Sequence, residues 1–222
     1  MEGNARKVPL NRNRREQRSE ESRARILAAA TTIFAEKGPD GARVDEIAKA
    51  SGINKRMIYA YFGNKEELYA EVLRSNYNKI YALSTKAVDL KRTPKENVTR
   101  AVRAYFYFLA ENEAFVRLSS WEALNGGRFS RKVLPSFVDL LVLAFDDIVK
   151  DGIQRKFIRP NIDIRQVLFS IQALCLTYFN RRELMQPLWQ EDLLSGEMLE
   201  ARLQHILDLI TDGIFYHGEA VE

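Results

Sequence analysis

Six side chains in one seven-residue stretch, Lys55, Arg56, Met57, Tyr59, Ala60 and Tyr61, combine cations, phenolic hydroxyls and a small residue. Lysine and arginine attract phosphate, and arginine can also pair in a fork with a base edge. Tyrosine hydroxyls donate to phosphate oxygens on long, rigid arms. Alanine leaves room for close approach to a base edge or a thymine methyl. Lys65 follows at the head of the next segment, where its charge and helix-terminal N–H groups can face phosphate together. An exposed cation alone is ordinarily just solvated, and a lone tyrosine is often half core. The combination carries the chemistry, which is recognition of a polyanion with some reading of its sequence.

The elements that must position these groups are helical. Ile26, Leu27, Ala30, Ile33 and Phe34 recur at helical spacing from Arg23 to Lys37. Gly38, Pro39 and Gly41 end that helix. A short helix follows, "VDEIAKA", with Val44, Ile47 and Ala48 on one face. Ser51-Gly52-Ile53 joins it to a third helix, Lys55 to Phe62, whose cap is Asn54. A glycine in so short a joint lets two short helices cross steeply, as in a helix-turn-helix. Ile47, Ile53, Ile58 and Phe62 point inward, and the cationic end of the third helix leads into a major groove. Asn64, with Glu67 three residues on, starts a fourth helix that runs beyond Ile80.

"RVDEIAKASGINKRMIYAYFGNKEELY" resembles the DNA-binding domain of TetR-family transcriptional regulators, and the match runs from about Ser22 to Glu71. The resemblance implies that Lys55, Arg56, Met57, Tyr59, Ala60 and Tyr61 face DNA and that Lys65 meets the phosphate backbone. It implies a homodimer on a partly palindromic double-stranded operator, and a C-terminal domain that binds a small-molecule effector and dimerises. Repression is the family's usual mode. Two positions depart from the family pattern. Arg43 stands where Thr or Ser usually caps the second helix; it cannot accept an N–H bond, so the cap is lost or supplied otherwise, with Asp45 nearby, though its charge can serve a phosphate. Pro39 replaces a frequent aromatic residue.

Beyond the fourth helix the pattern stays helical. Thr93-Pro94-Lys95-Glu96 starts a fifth helix, and "NEAFVRLSSWEAL" is a sixth, ended by Asn125-Gly126-Gly127. Pro135 opens a seventh that closes at Gly152. Asp163 caps an eighth, through "RREL", and a ninth begins at Met198. The expected fold is all-α, with about nine helices. A basic disordered arm (1–18) precedes a three-helix DNA-binding domain (19–66) and a larger effector-binding and dimerisation domain (67–222). Tyr105, Phe108, Trp121, Asn125, Phe145, Gln172 and Tyr178 are the expected effector-site residues, apolar walls with a few polar groups. Phe169, Leu176, Leu203, Ile206, Leu207 and Ile210 are the expected dimer interface; the same stripe could equally face its own core.

Composition narrows the remaining classes. Net charge is +4, and residues 1–75 hold 15 Lys+Arg against 11 Asp+Glu, so the whole excess lies there. The single cysteine, Cys175, suits a reducing cytoplasm. No run reaches the roughly 18–20 apolar residues of a membrane span, and the basic N-terminus has no apolar stretch of a secretory leader behind it. There are two histidines, His205 and His217, and no metal-ligand cluster, phosphate-binding glycine loop or nucleophile–base pattern. Neither enzyme activity, cofactor nor metal is therefore expected. An architectural or effector-independent DNA-binding protein is the alternative.

Overall fold

Opposite charges and good helix formers, with neither glycine nor proline, fill the chain from Leu10 to Lys37, and the result is one long helix. The computed structural model describes residues 10–89 and 91–215. In it α1 spans Leu10–Gly41, with a break at Gly38 (φ 71°, ψ 173°). The expected arm is corrected over residues 10–18, which are helical; residues 1–9 lie outside the described residues. A high charge density alone does not stop a helix, because Arg, Glu and Gln lose little rotamer freedom in it.

The chain divides into two units, Met1–Val72 and Leu73–Glu222. The first holds α1, α2 (Val44–Ser51), α3 (Lys55–Phe62) and the start of α4 (Lys65–Ala87). Ile26, Ala30 and Phe34 of α1, Ile47 of α2, Ile58 of α3 and Leu68 of α4 are almost wholly buried together. Phe34 and Tyr69 meet edge to face, with ring centroids 4.9 Å apart. Gly52 ends α2 in the left-handed conformation (φ 67°, ψ 21°), which a side chain would strain.

The second unit continues α4 and adds α5 (Pro94–Glu111), α6 (Glu113–Leu124), α7 (Ser130–Gln154), α8 (Ile164–Asn180), α9 (Arg182–Met185) and α10 (Gly196–Ile214). A 3-10 turn, Gln186–Leu188, follows α9. Val102, Phe106 and Leu109 of α5, Phe115 of α6, Cys175 of α8 and Leu203, Ile206 and Leu207 of α10 share its core. The local caps form as their residues dictate. Thr93 Oγ1 accepts the Glu96 N–H while Glu96 takes the Thr93 N–H, and Asp163 Oδ1 accepts from Arg165 and Gln166. No strand occurs among the described residues, only an isolated antiparallel bridge between Ile158 and Phe215.

Three expected boundaries move. Helix α7 begins at Ser130 and runs through Pro135, at the cost of one backbone bond, because a carboxylate from α6 caps its start. The expected eighth helix splits into α8 and α9 at Arg181, where the chain turns toward the loop before α10. That loop is held by Gln186, which bonds Glu191 and Leu193, and by the Tyr178 hydroxyl on the Leu193 carbonyl. The last helix starts at Gly196, two residues early, because Ser195 accepts the Met198 N–H. The count of α-helices is ten among the described residues, against about nine expected.

Gly152 near the end of α7 lies hard against Ile158, whose side chain is 1% exposed. A Cβ at Gly152 would stand 2.6 Å from Ile158 Cδ1 and 2.8 Å from Cγ1. Gly152→Ala, normally favourable in a helix, is therefore expected to destabilise by about 1–3 kcal/mol. A lowered urea midpoint checks it; an unchanged or raised midpoint contradicts the packing argument.

Candidate nucleic-acid interface and internal cavity

Helix α3 is two turns long, and its inward pair fixes its rotation. Ile58 and Phe62, four residues apart, are 1% and 7% exposed. Asn54 Oδ1 accepts the Met57 N–H at 2.9 Å at one end, and the Gly63 N–H bonds the Tyr59 carbonyl at the other. Lys55, Arg56, Met57, Tyr59 and Ala60 are thereby exposed, and Tyr61 is half-buried beside Phe62. The expected outward face is thus a real juxtaposition.

Its cations are not equivalent. Lys55 Nζ pairs with Asp45 of α2 at 2.9 Å, and this hydrogen bond holds the ammonium above its usual range. Lys65 Nζ is bound to the carbonyls of Asp40 and Ala42, so it ties down the loop before α2. Arg56 has no ion-pair partner among the described residues. Arg43 is exposed and makes no side-chain cap. The N-cap acceptor is lost; Glu46 accepts the Arg43 N–H and pairs with Lys37, whose hydrogen bond holds the carboxyl below its usual range.

Two positioning residues escaped the sequence reading. Arg23 lies over the Phe62 ring at 4.6 Å, donates to the Tyr61 carbonyl and pairs with Glu71. Arg25 donates to the Ser51 carbonyl at 2.6 Å and so fastens the turn. Their partners are 26 or more residues away in sequence, and no local pattern marks them.

The second unit encloses a cavity of about 520 Å³ bounded by α4 to α8. Ile80, Val102, Phe115 and Leu141 give it apolar walls. Of the residues named from the sequence, Tyr105, Phe145 and Gln172 line it. Phe108, Trp121, Asn125 and Tyr178 do not. Phe108 packs on Phe115, Asn125 bonds its own helix at the Trp121 carbonyl, and Tyr178 is engaged with Leu193. Burial pushes the Tyr105 phenol well above its ordinary range and the Cys175 thiol up to about 12, so both stay neutral.

The expected dimer residues need correction. Leu176, Leu203, Ile206, Leu207 and Ile210 are buried within the chain's own core, and only Phe169 is exposed, at 68%. Helical periodicity identifies a buried stripe without saying what buries it. Among the described residues no cluster of His, Cys, Asp and Glu could hold a metal, and no helix is long and apolar enough to cross a membrane.

Two short helices joined by a glycine turn, the second of them cationic and aromatic on its exposed face, followed by a helical unit with an apolar cavity, define a helix-turn-helix regulator. The chain belongs to the TetR family: the family's N-terminal model, described as bacterial regulatory proteins of the tetR family, matches residues 26–72, and the tetracyclin repressor-like C-terminal domain matches residues 94–210. It is 28% identical over 203 residues to the HTH-type transcriptional repressor NicS of Pseudomonas putida, covering 90% of this chain and 95% of that one. It is 31% identical over 167 residues to the repressor SCO4008 of Streptomyces coelicolor, covering 70% and 77%. The fold is shared with FadR of Bacillus subtilis in complex with stearoyl-CoA (TM-score 0.70, 22% identity, 86% and 98% covered).

If the Asn54 cap is what starts α3, Asn54→Ala costs the helix about 1 kcal/mol and Asn54→Gly only a few tenths. Hydrogen exchange at the α3 amides should then rise several-fold in the first variant and little in the second. Equal exchange in both would show that the cap contributes nothing.

Proposed function

We propose that this regulator is a repressor that binds a two-half-site operator as a homodimer and is released by a small apolar effector taken into the cavity. The observation that carries DNA binding is the face of α3. Burial of Ile58 and Phe62 leaves Arg56, Met57, Tyr59 and Ala60 exposed on one surface. Repression is favoured by NicS and SCO4008, both named repressors. A homodimer supplies two reading heads for half-sites about 34–36 Å apart, and a symmetric operator mirrors that symmetry. Phe169 and Leu209 of α10, 68% and 49% exposed, are the apolar side chains we assign to pairing.

The effector reading rests on the cavity, whose size and apolar walls suit a small molecule. FadR, which shares the fold, was solved with stearoyl-CoA, and KstR2 is called a ketosteroid regulator, so apolar ligands are at home in this architecture. By sequence, α4 runs from the first unit into the second and is the covalent route from ligand to α3. An effector can shift operator affinity only by its differential affinity for the two states. No catalytic step or cofactor enters this scheme, and the site of action is the cytoplasm.

Selection of bound sequences from a random DNA pool should return a palindrome. Binding of most sequences alike would favour an architectural protein instead. Arg56→Ala is expected to relax preference at one base position by about 1–3 kcal/mol, while Tyr59→Phe weakens all duplexes alike. Asp45→Asn frees Lys55 and should tighten binding to every duplex by about 1 kcal/mol or less at low salt, without changing preference. Fluorescence anisotropy against selected and random duplexes measures all of these; unchanged affinity and preference in Arg56→Ala would remove it from the interface.

A further inference from the structure

One end of the cavity is built differently from its walls. Glu122 of α6 is 5% exposed and lines it. Its Oε2 accepts the backbone N–H groups of Phe129 at 3.1 Å and Ser130 at 2.7 Å, which caps α7. Its Oε1 is buried with no hydrogen-bond partner. Ser130 Oγ, on a residue 7% exposed, is buried as well. The Tyr77 hydroxyl lies beside Ser130, and its ionisation is pushed up by burial and by the Glu122 charge. Proteins leave few buried polar atoms unmatched, and an acceptor on a carboxylate is among the costliest to leave so.

Among the described lining residues no unpaired cation stands to neutralise that carboxylate. Among the described lining residues Arg165 is the only cation, and its guanidinium is paired with Asp139 at 2.7 Å. Lys and His are absent from the lining, and the other polar groups are hydroxyls and side-chain amides, Ser84, Ser119, Gln172 and Asn180 among them. The arrangement is an apolar chamber with one acceptor of negative character at its α6–α7 end.

We propose that the cavity selects a ligand with an apolar body and a cationic nitrogen, an amine or protonated ring nitrogen, whose N–H groups bond Glu122 Oε1 and Ser130 Oγ. The proposal rests on the effector reading of the same cavity. A carboxylate or phosphate head is repelled at this end, because it meets Glu122 with like charge and leaves Oε1 without a donor. An alcohol satisfies one acceptor but brings no charge.

A matched series with one alkyl body tests this: decylamine, decanol and decanoate, each titrated below its micelle concentration into the full chain by calorimetry. The wild type is expected to bind decylamine about tenfold tighter than decanol, with decanoate weakest. Glu122→Gln keeps an oxygen for the α7 cap and removes the charge, so it should abolish the advantage of the amine while leaving decanol within about twofold. Leu141→Trp, which fills the cavity, should weaken all three. Decylamine binding no tighter than decanol, or an advantage that survives in Glu122→Gln, overturns the proposal; weakening by Leu141→Trp then shows that the cavity reading itself stands. Failure of all three to bind the wild type, or binding untouched by Leu141→Trp, overturns the cavity reading and the proposal with it. If Glu122→Gln does not fold, the wild-type ranking of the three heads decides alone.

Discussion

An eight-residue helix is too short to persist by its own hydrogen bonds, so α3 exists only because Ile58 and Phe62 are buried. That burial has a second effect. With inward residues four apart and about 100° between successive side chains, the outward positions follow automatically. Lys55, Arg56, Tyr59 and Ala60 face out because Ile58 and Phe62 face in. Arg23 then presses on Phe62, and Arg25 closes the turn through Ser51. The same contacts that hold the helix therefore aim its chemistry, which is the rigid support a reading head needs.

The two tethered lysines illustrate how magnitudes separate roles. Lys55 and Asp45 are both well exposed, and such a pair is worth about 0–1 kcal/mol. A phosphate can take Lys55 from Asp45 at little cost. Lys65 is half-buried and donates to two backbone carbonyls, charge-assisted bonds worth about 1.5–3 kcal/mol each. Moving it to a phosphate would release the loop that sets α2. Lys55 is thus held by an exchangeable pair and Lys65 by a firmer tether, although sequence spacing presents them as the same kind of residue.

Legibility followed the range of the interactions. The starts at Asn54, Thr93 and Asp163 were readable because cap and helix lie within three residues of each other. The start of α7 was not, because its cap is Glu122, seven and eight residues upstream on another helix. Pro135 therefore looked like a beginning and proved to be interior. The α8–α9 break carries no glycine or proline; the contact beside it, between Tyr178 and Leu193, spans fifteen residues. The outward face of α3 was legible from residue types and a turn. The cavity was legible only in part, since Tyr105, Phe145 and Gln172 line it while Tyr178, of like type on the same helix as Gln172, turns away. The apolar stripe of α10 was found correctly as buried, but its partner is the chain's own core rather than a second copy.

Glu122 shows why a structural explanation can be sufficient for one atom and not for its neighbour. A carboxylate at a helix N-terminus is favourable, and bonds to two N–H groups account for Oε2. A serine or asparagine at a local cap would do the same with no buried charge. Retaining a carboxylate in an apolar chamber leaves Oε1 unmatched, at a cost of about 1–3 kcal/mol or more. Folding alone gives no return on that cost. A donor arriving with a ligand removes it, and the unmatched acceptor becomes affinity for one kind of head group. The residue that begins α7 then also decides which molecules can occupy the space that α7 encloses.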